Sequence, residues 1–218
     1  PSTSTASGTG DPFGVVMWPG SVKASRELIK WREEVKDSVV LVLGAGTGVE
    51  AQAAALLGAE RVIALDVSLL TLRLLEYGAM EAGLGDIIEG RVFDLFSNEP
   101  LPKCDILVAA DVLYNEELAT QIGLRCLEVL APSSSSSPPP KLIITDSQNF
   151  HGTDFLGMVN SHKDRVDCPP LVWEKEVLTN FTGSGVMIEE DQLYDVTVRT
   201  LSTGWGKGGG GVSLPEDD

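Results

Sequence analysis

Five consecutive apolar residues, Val39-Val40-Leu41-Val42-Leu43, run straight into Gly44-Ala45-Gly46-Thr47-Gly48. An unbroken apolar run of this length predicts a strand covered on both faces, as in a parallel sheet flanked by helices. The three alternating glycines predict a tight bend, because glycine adopts backbone angles that other residues resist. A ligand can lie close to such a main chain. An alanine- and leucine-rich stretch follows and reads as a helix ending near Gly58. In open parallel sheets, ligands bind beyond the carboxyl ends of the strands at the switch point. The bend is therefore the first candidate binding element.

The alternation continues along the chain. Residues 24–36 place Leu28, Ile29, Trp31 and Val35 among charges and predict an amphipathic helix ahead of the first strand. Strands are expected at Arg61–Asp66, Ile87–Asp94, Asp105–Ala110 and Lys141–Thr145. Helices are expected from Ser68, a plausible N-cap, to about Gly83, and over Glu116–Leu130. This rhythm predicts a doubly wound, mostly parallel α/β sheet with helices on both faces. After residue 150 the pattern changes. A short helix is expected at Phe155–Met158. Trp173–Leu178 and Gln192–Leu201 show partial alternation and predict an antiparallel hairpin closing the sheet. The domain is expected to span 13–203. Residues 1–12 are expected to be a disordered N-terminal segment, 133–140 a low-complexity loop insertion, and 204–218 a flexible tail.

Charge and cysteine usage narrow the function classes. The chain has 218 residues, 43% of them hydrophobic, and a formal net charge of -16. Such an excess repels phosphates, so nucleic acid is not the expected partner. A basic, lysine-bearing protein is compatible with it. Cys104, Cys126 and Cys168 are odd in number and show no CxxC spacing, which argues against a disulfide framework. His151 and His162 sit in no ligand pattern, so no metal site is expected. No apolar stretch reaches the ~20 residues of a membrane span, and no membrane association is expected. A monomer in the cytoplasm is the expectation, with the nucleus as the alternative. The chain starts at Pro1 without a methionine, so an upstream targeting segment stays open.

Spacing separates the candidate ligands of the bend. The dinucleotide fingerprint GxGxxG would need a glycine where Val49 stands, and a P-loop would need GK[ST] after the turn. The GxGxG spacing is the methyltransferase variant, in which the bend approaches the amino-acid part of S-adenosylmethionine (AdoMet). Asp66 ends the second strand, 20 residues after Gly46. A carboxylate there accepts hydrogen bonds from both ribose hydroxyls, as in dinucleotide folds. Asp94 ends the third strand and is placed to accept from the adenine amino group.

With these features the chain resembles the seven-strand methyltransferases of family 16, which are mainly protein-lysine methyltransferases. The resemblance covers roughly residues 13–150. It rests on Trp18-Pro19-Gly20-Ser21, Val40–Gly48, Asp66, Phe93-Asp94-Leu95-Phe96 and Ala110-Asp111-Val112-Leu113-Tyr114. The last, a DxxY after the fourth strand, is the most specific. The resemblance implies a Rossmann-like class I methyltransferase fold with seven strands and AdoMet as cofactor. It implies that Trp18 lies beside the cofactor and that Gly44, Ala45 and Gly46 contact it through backbone, with Gly48 completing the turn. Asp66 would hold the ribose, Asp94 and Leu95 would flank the adenine, and Ala110 would lie near the cofactor. Asp111 and Tyr114 would frame the substrate channel as the catalytic pair. Two positions depart from the family pattern: Val42 stands where an acid is common, and Leu95 where tryptophan is common.

The function expected is methyl transfer to a protein lysine. The alternatives are a small molecule, another protein nucleophile such as histidine, or a non-catalytic AdoMet-binding module. A nicotinamide-dependent oxidoreductase is a weaker reading of the same fold.

Overall fold

The computed structural model describes residues 12–131, 140–162, 170–181 and 193–203. The expected N-terminal segment, apart from Pro12, lies outside the described residues. So do the serine- and proline-rich insertion up to residue 139, the tail from 204 and Cys168.

A 3-10 turn at Pro12–Val15 precedes α1 (Pro19–Lys30), α2 (Arg32–Val35), β1 (Val39–Leu43), α3 (Val49–Leu56), β2 (Arg61–Asp66) and α4 (Leu69–Glu81). Then come β3 (Ile88–Val92), β4 (Ile106–Ala110), α5 (Glu116–Leu130), β5 (Lys141–Asp146), α6 (Gly152–Ser161), β6 (Glu174–Phe181) and β7 (Tyr194–Thr203). The strands form one seven-stranded sheet in the order β3-β2-β1-β4-β5-β7-β6. The first five run parallel, and β7 is antiparallel to both β5 and β6. The doubly wound, mostly parallel sheet with a C-terminal antiparallel hairpin is the architecture expected.

Strand periodicity divides the core. Val40, Val42, Val62, Ala64, Ile106 and Val108 face one side, under α1, α3 and α4. Leu41, Leu43, Ile63, Leu65, Leu107 and Ala109 face the other, under α5 and α6. Successive residues point to opposite faces, so an all-apolar strand feeds both cores at once. Each fully buried Leu or Ile contributes about 1.5–3 kcal/mol.

Several elements differ from expectation in their bounds; α6 outruns the expected Phe155–Met158 at both ends, and two earlier elements differ for clear reasons. The first helix begins at Pro19, not at residue 24, and breaks at Trp31, whose φ of -108° and ψ of 27° end α1 before α2 starts. Proline is preorganised for the first helical position and lacks the N–H that would be orphaned there. β3 is shorter than Ile87–Asp94. The Phe93 N–H still donates to the Asp66 carbonyl at 2.9 Å, but Asp94 already belongs to the following turn. Ser68 caps α4 as anticipated, its Oγ accepting from the Thr71 N–H at 3.4 Å.

Register sets the position of the site. Leu43 pairs with Leu65 on one side and Ala109 on the other. Gly44, Asp66 and Ala110 therefore stand in one row at the carboxyl edge. The chain order reverses between β1 and β4, the switch point at which open α/β sheets bind ligands.

Candidate functional site

A cavity of about 550 Å3 opens at this edge. Trp18, Gly44, Ala45, Gly46, Gly48, Asp66, Asp94, Leu95, Ala110, Asp111 and Tyr114 all line it. They come from segments far apart in sequence, and the sheet brings them together. The volume lies within the usual range for small-molecule sites.

The bend is held open by its own hydrogen bonds. Ala45 N–H donates to the Leu65 carbonyl at 3.0 Å, and Gly48 N–H to the Ala45 carbonyl at 2.8 Å. Gly46 has a φ of +52°, and a Cβ there would meet the Gly14 carbonyl oxygen at 2.9 Å. A side chain would be strained and would close the approach to the backbone. The Asp66 carboxylate points at the bend. Its Oδ2 accepts from Gly46 N–H at 2.9 Å and its Oδ1 from Ser68 N–H at 2.8 Å. A carboxylate has roughly four lone-pair positions. Two are used by backbone, and capacity remains for a vicinal diol in the cavity.

The next wall is the turn after β3. Asp94 Oδ1 accepts from Phe96 N–H at 2.9 Å, which organises the turn. The Leu95 carbonyl accepts from Gln121 Nε2 at 2.6 Å and from Arg125 Nε at 2.9 Å. Arg125 also donates to the Ser97 carbonyl at 2.6 Å and the Glu99 carbonyl at 2.9 Å, with its guanidinium 5.3 Å from the Phe93 ring centre. One buried arginine of α5 thus clamps the turn and presents Phe93 and Leu95 as an apolar wall.

Asp111 is only 5% exposed and has a left-handed φ of +53°. Its Oδ2 accepts from Gly20 N–H at 2.7 Å and Ser147 Oγ at 2.9 Å, and its Oδ1 accepts from Ser147 N–H at 2.6 Å. The Thr145 hydroxyl donates to the Gly20 carbonyl at 2.8 Å. The tryptophan-proline-glycine motif and the DxxY motif are therefore one hydrogen-bonded unit. Burial pushes the Asp111 carboxyl up to about 6; its hydrogen bonds oppose this, and the nearby Asp146 charge reinforces it. A Cβ on Gly20 would fall 2.4 Å from Asp111 Oδ2. Gly20→Ala is accordingly expected to break this junction and destabilise the fold by about 1–3 kcal/mol, measured by urea unfolding. An unchanged midpoint would show that the junction yields freely. Tyr114 stands at the rim, 54% exposed.

Sequence reasoning gave no role to Glu50, Ser21, Phe93 or Gln148, which also line the cavity. Glu50, in the first turn of α3, is 4% exposed and hydrogen-bonded to Ser21. Burial pushes its carboxyl up to about 7, opposed by the Ser21 bond and assisted by the charge of Asp111. An acid early in a helix usually reads as a solvated partner of the helix dipole. Position two after Gly48 was the available signal.

No family model matches the chain. Over 116 residues, 52% of this chain, it is 31% identical to the electron transfer flavoprotein beta subunit lysine methyltransferase of Rattus norvegicus, covering 44% of that protein. Over 132 residues, 60% of this chain, it is 35% identical to the ribosomal protein L11 methyltransferase of Pseudomonas fluorescens, covering 40% of that protein. The matches thus span less than half of these relatives' own length. Among solved structures, the magnesium protoporphyrin IX methyltransferase of Synechocystis, with bound SAM, superposes with a TM-score of 0.56 at 15% identity. The superposition covers 84% of this chain and 79% of that one. The fold of this chain is the Rossmann-like fold of AdoMet-dependent methyltransferases.

Proposed function

We propose that this chain is an AdoMet-dependent methyltransferase whose acceptor is a protein lysine. The observation that carries this reading is the convergence of the glycine bend, Asp66, the Asp94 turn and the Asp111–Tyr114 segment on one cavity at the switch point. The donor set suits the cofactor. Gly46 leaves its backbone open to close approach, Asp66 retains acceptor capacity for the ribose hydroxyls, and Phe93 and Leu95 offer an apolar face for adenine. When bound, AdoMet supplies a methyl group on a sulfonium.

What the chain contributes is positioning. Holding reactants in line lowers a barrier by several kcal/mol. The acceptor must arrive as a neutral amine. A free lysine has a pKa of about 10.4, so fewer than ~1 in 1000 is neutral at pH 7. An apolar mouth lowers that pKa by desolvation. Asp111 is held rigidly by three donors, which suits it to fixing the mouth's shape and orienting the arriving ammonium. Tyr114, at the rim, is placed to wall the channel. The proton leaves to water before the amine attacks.

Lysine as acceptor is supported by the rat relative and by the acidic surface, which favours a basic substrate. The Pseudomonas relative, named for methylating a ribosomal protein, supports a protein acceptor without specifying its nucleophile. The test has two parts. Calorimetry should detect AdoMet binding to the wild type, and Asp66→Ala should weaken it by about 100-fold, the loss of two charge-assisted hydrogen bonds. Labelled methyl groups offered with cell lysate should appear in a protein band that releases methyl-lysine on hydrolysis. Absence of AdoMet binding would sink the proposal. Label in another residue would move the acceptor, and label in a small metabolite would replace the protein substrate.

A further inference from the structure

We propose that Glu50 receives the α-ammonium group of the cofactor's methionine part. This rests on the reading of the cavity as an AdoMet site and deepens it. The other buried acids of the described residues have their partners within the fold. Asp146 pairs with Arg199, Glu27 with Lys23 at 3.0 Å, and Asp111 accepts from three protein donors. Glu50 is as buried as these, yet among the described residues no Lys, Arg or His forms an ion pair with it. Its side-chain partner is the Ser21 hydroxyl, and its charged neighbour is another acid, Asp111. Glu50 also lines the cavity, two positions beyond the glycine bend. A buried carboxylate without a cation is costly. Here the missing cation has a place to enter.

Three cations are candidates for that place. The acceptor's ammonium already meets Asp111 at the mouth, and a second carboxylate beside it would hold it charged and slow its loss of a proton. The sulfonium has no hydrogen to donate, so it leaves the carboxylate's lone pairs unfilled. The α-ammonium of an amino acid stays protonated at neutral pH and donates three hydrogen bonds, as any primary ammonium does. It belongs to the part of the cofactor that the bend is shaped to approach. Ser21, reaching from α1, holds Glu50 in place for it.

Two ligands separate this contact from the rest of the site: S-adenosylhomocysteine, which carries the amino-acid part, and methylthioadenosine, which lacks it. Calorimetry should show Glu50→Gln weakening S-adenosylhomocysteine by about 10- to 100-fold while leaving methylthioadenosine within about twofold. Ser21→Ala, a milder change that leaves the carboxylate present, should reduce S-adenosylhomocysteine affinity by several-fold with the same ligand selectivity. Equal losses for both ligands, or no loss for either, overturn the assignment of Glu50 and leave the cofactor reading intact. A wild-type protein that binds neither ligand overturns both.

Discussion

Arg199→Met should remove about 3–5 kcal/mol of folding stability, because it strands a buried carboxylate. Asp146, at the end of β5, is fully buried, and Arg199 stands directly opposite it on β7. The guanidinium donates to Asp146 Oδ2 through both Nε, at 3.2 Å, and a terminal nitrogen. It also lies 5.5 Å from the centre of the Trp173 ring, whose indole N–H donates to the Gly152 carbonyl at 3.0 Å. Backbone donors at Gln148 and Asn149 reach Asp146 Oδ1 at 3.2 and 3.4 Å, too weakly to replace a cation. Urea denaturation measures the loss. A second replacement, Asp146→Leu in the Arg199→Met background, should recover much of it, since an apolar pair of similar volume can match a buried ion pair. A loss below about 1 kcal/mol for the single variant would mean that Asp146 finds water or another donor.

Glu50→Gln should act in the opposite direction on the ligand-free protein. With its carboxyl raised by burial to about 7 from an ordinary 4.5, the folded state binds more protons than the unfolded state between those pH values. Stability from this group therefore falls as pH rises through that window and is lowest above pH 7. At pH 8 the glutamine variant should be more stable by up to about 3 kcal/mol, and near pH 5 the gap should narrow toward zero. Thermal melts across pH 5–8 check both the sign and the convergence. A pH-independent difference would assign the effect to packing. The variant would also remain folded for the binding tests, so weakened affinity could not be blamed on unfolding. Stability given up beside a cavity is the usual companion of function.

The sheet was readable because its strands advertise themselves locally. Val39–Leu43, Arg61–Asp66 and Ile106–Ala110 are apolar runs with one use, and the register that follows from them puts Gly44, Asp66 and Ala110 in a row. Ser68 marks the start of α4 in the sequence, whereas the cap that Asn115 provides for α5 emerges from the structure. The first helix starts earlier than its apolar spacing from residue 24 suggests, because Pro19 is preorganised for the first turn. The hairpin bounds differ, at Glu174–Phe181 and Tyr194–Thr203; β6 lies at the sheet edge with most positions exposed, and its sequence alternates weakly. The candidate site divides in the same way. Positions fixed by strand ends and bends were legible. The bonds of Asp111 to Gly20 and Ser147, and the burial of Glu50, arise from residues distant in sequence, and no local pattern encodes them.

The sheet order also bears on how the chain comes to be assembled. β7, although it follows every other strand, slots between β5 and β6 rather than at the rim. Until residues 194–203 have been synthesised, β5 offers an open flank of backbone donors and acceptors to any neighbouring chain. The nascent ligand-binding half therefore emerges with its glycine bend and acidic strand ends already made, but with a sticky side and an uncompensated negative charge at Asp146. The arrival of one late strand removes both hazards together.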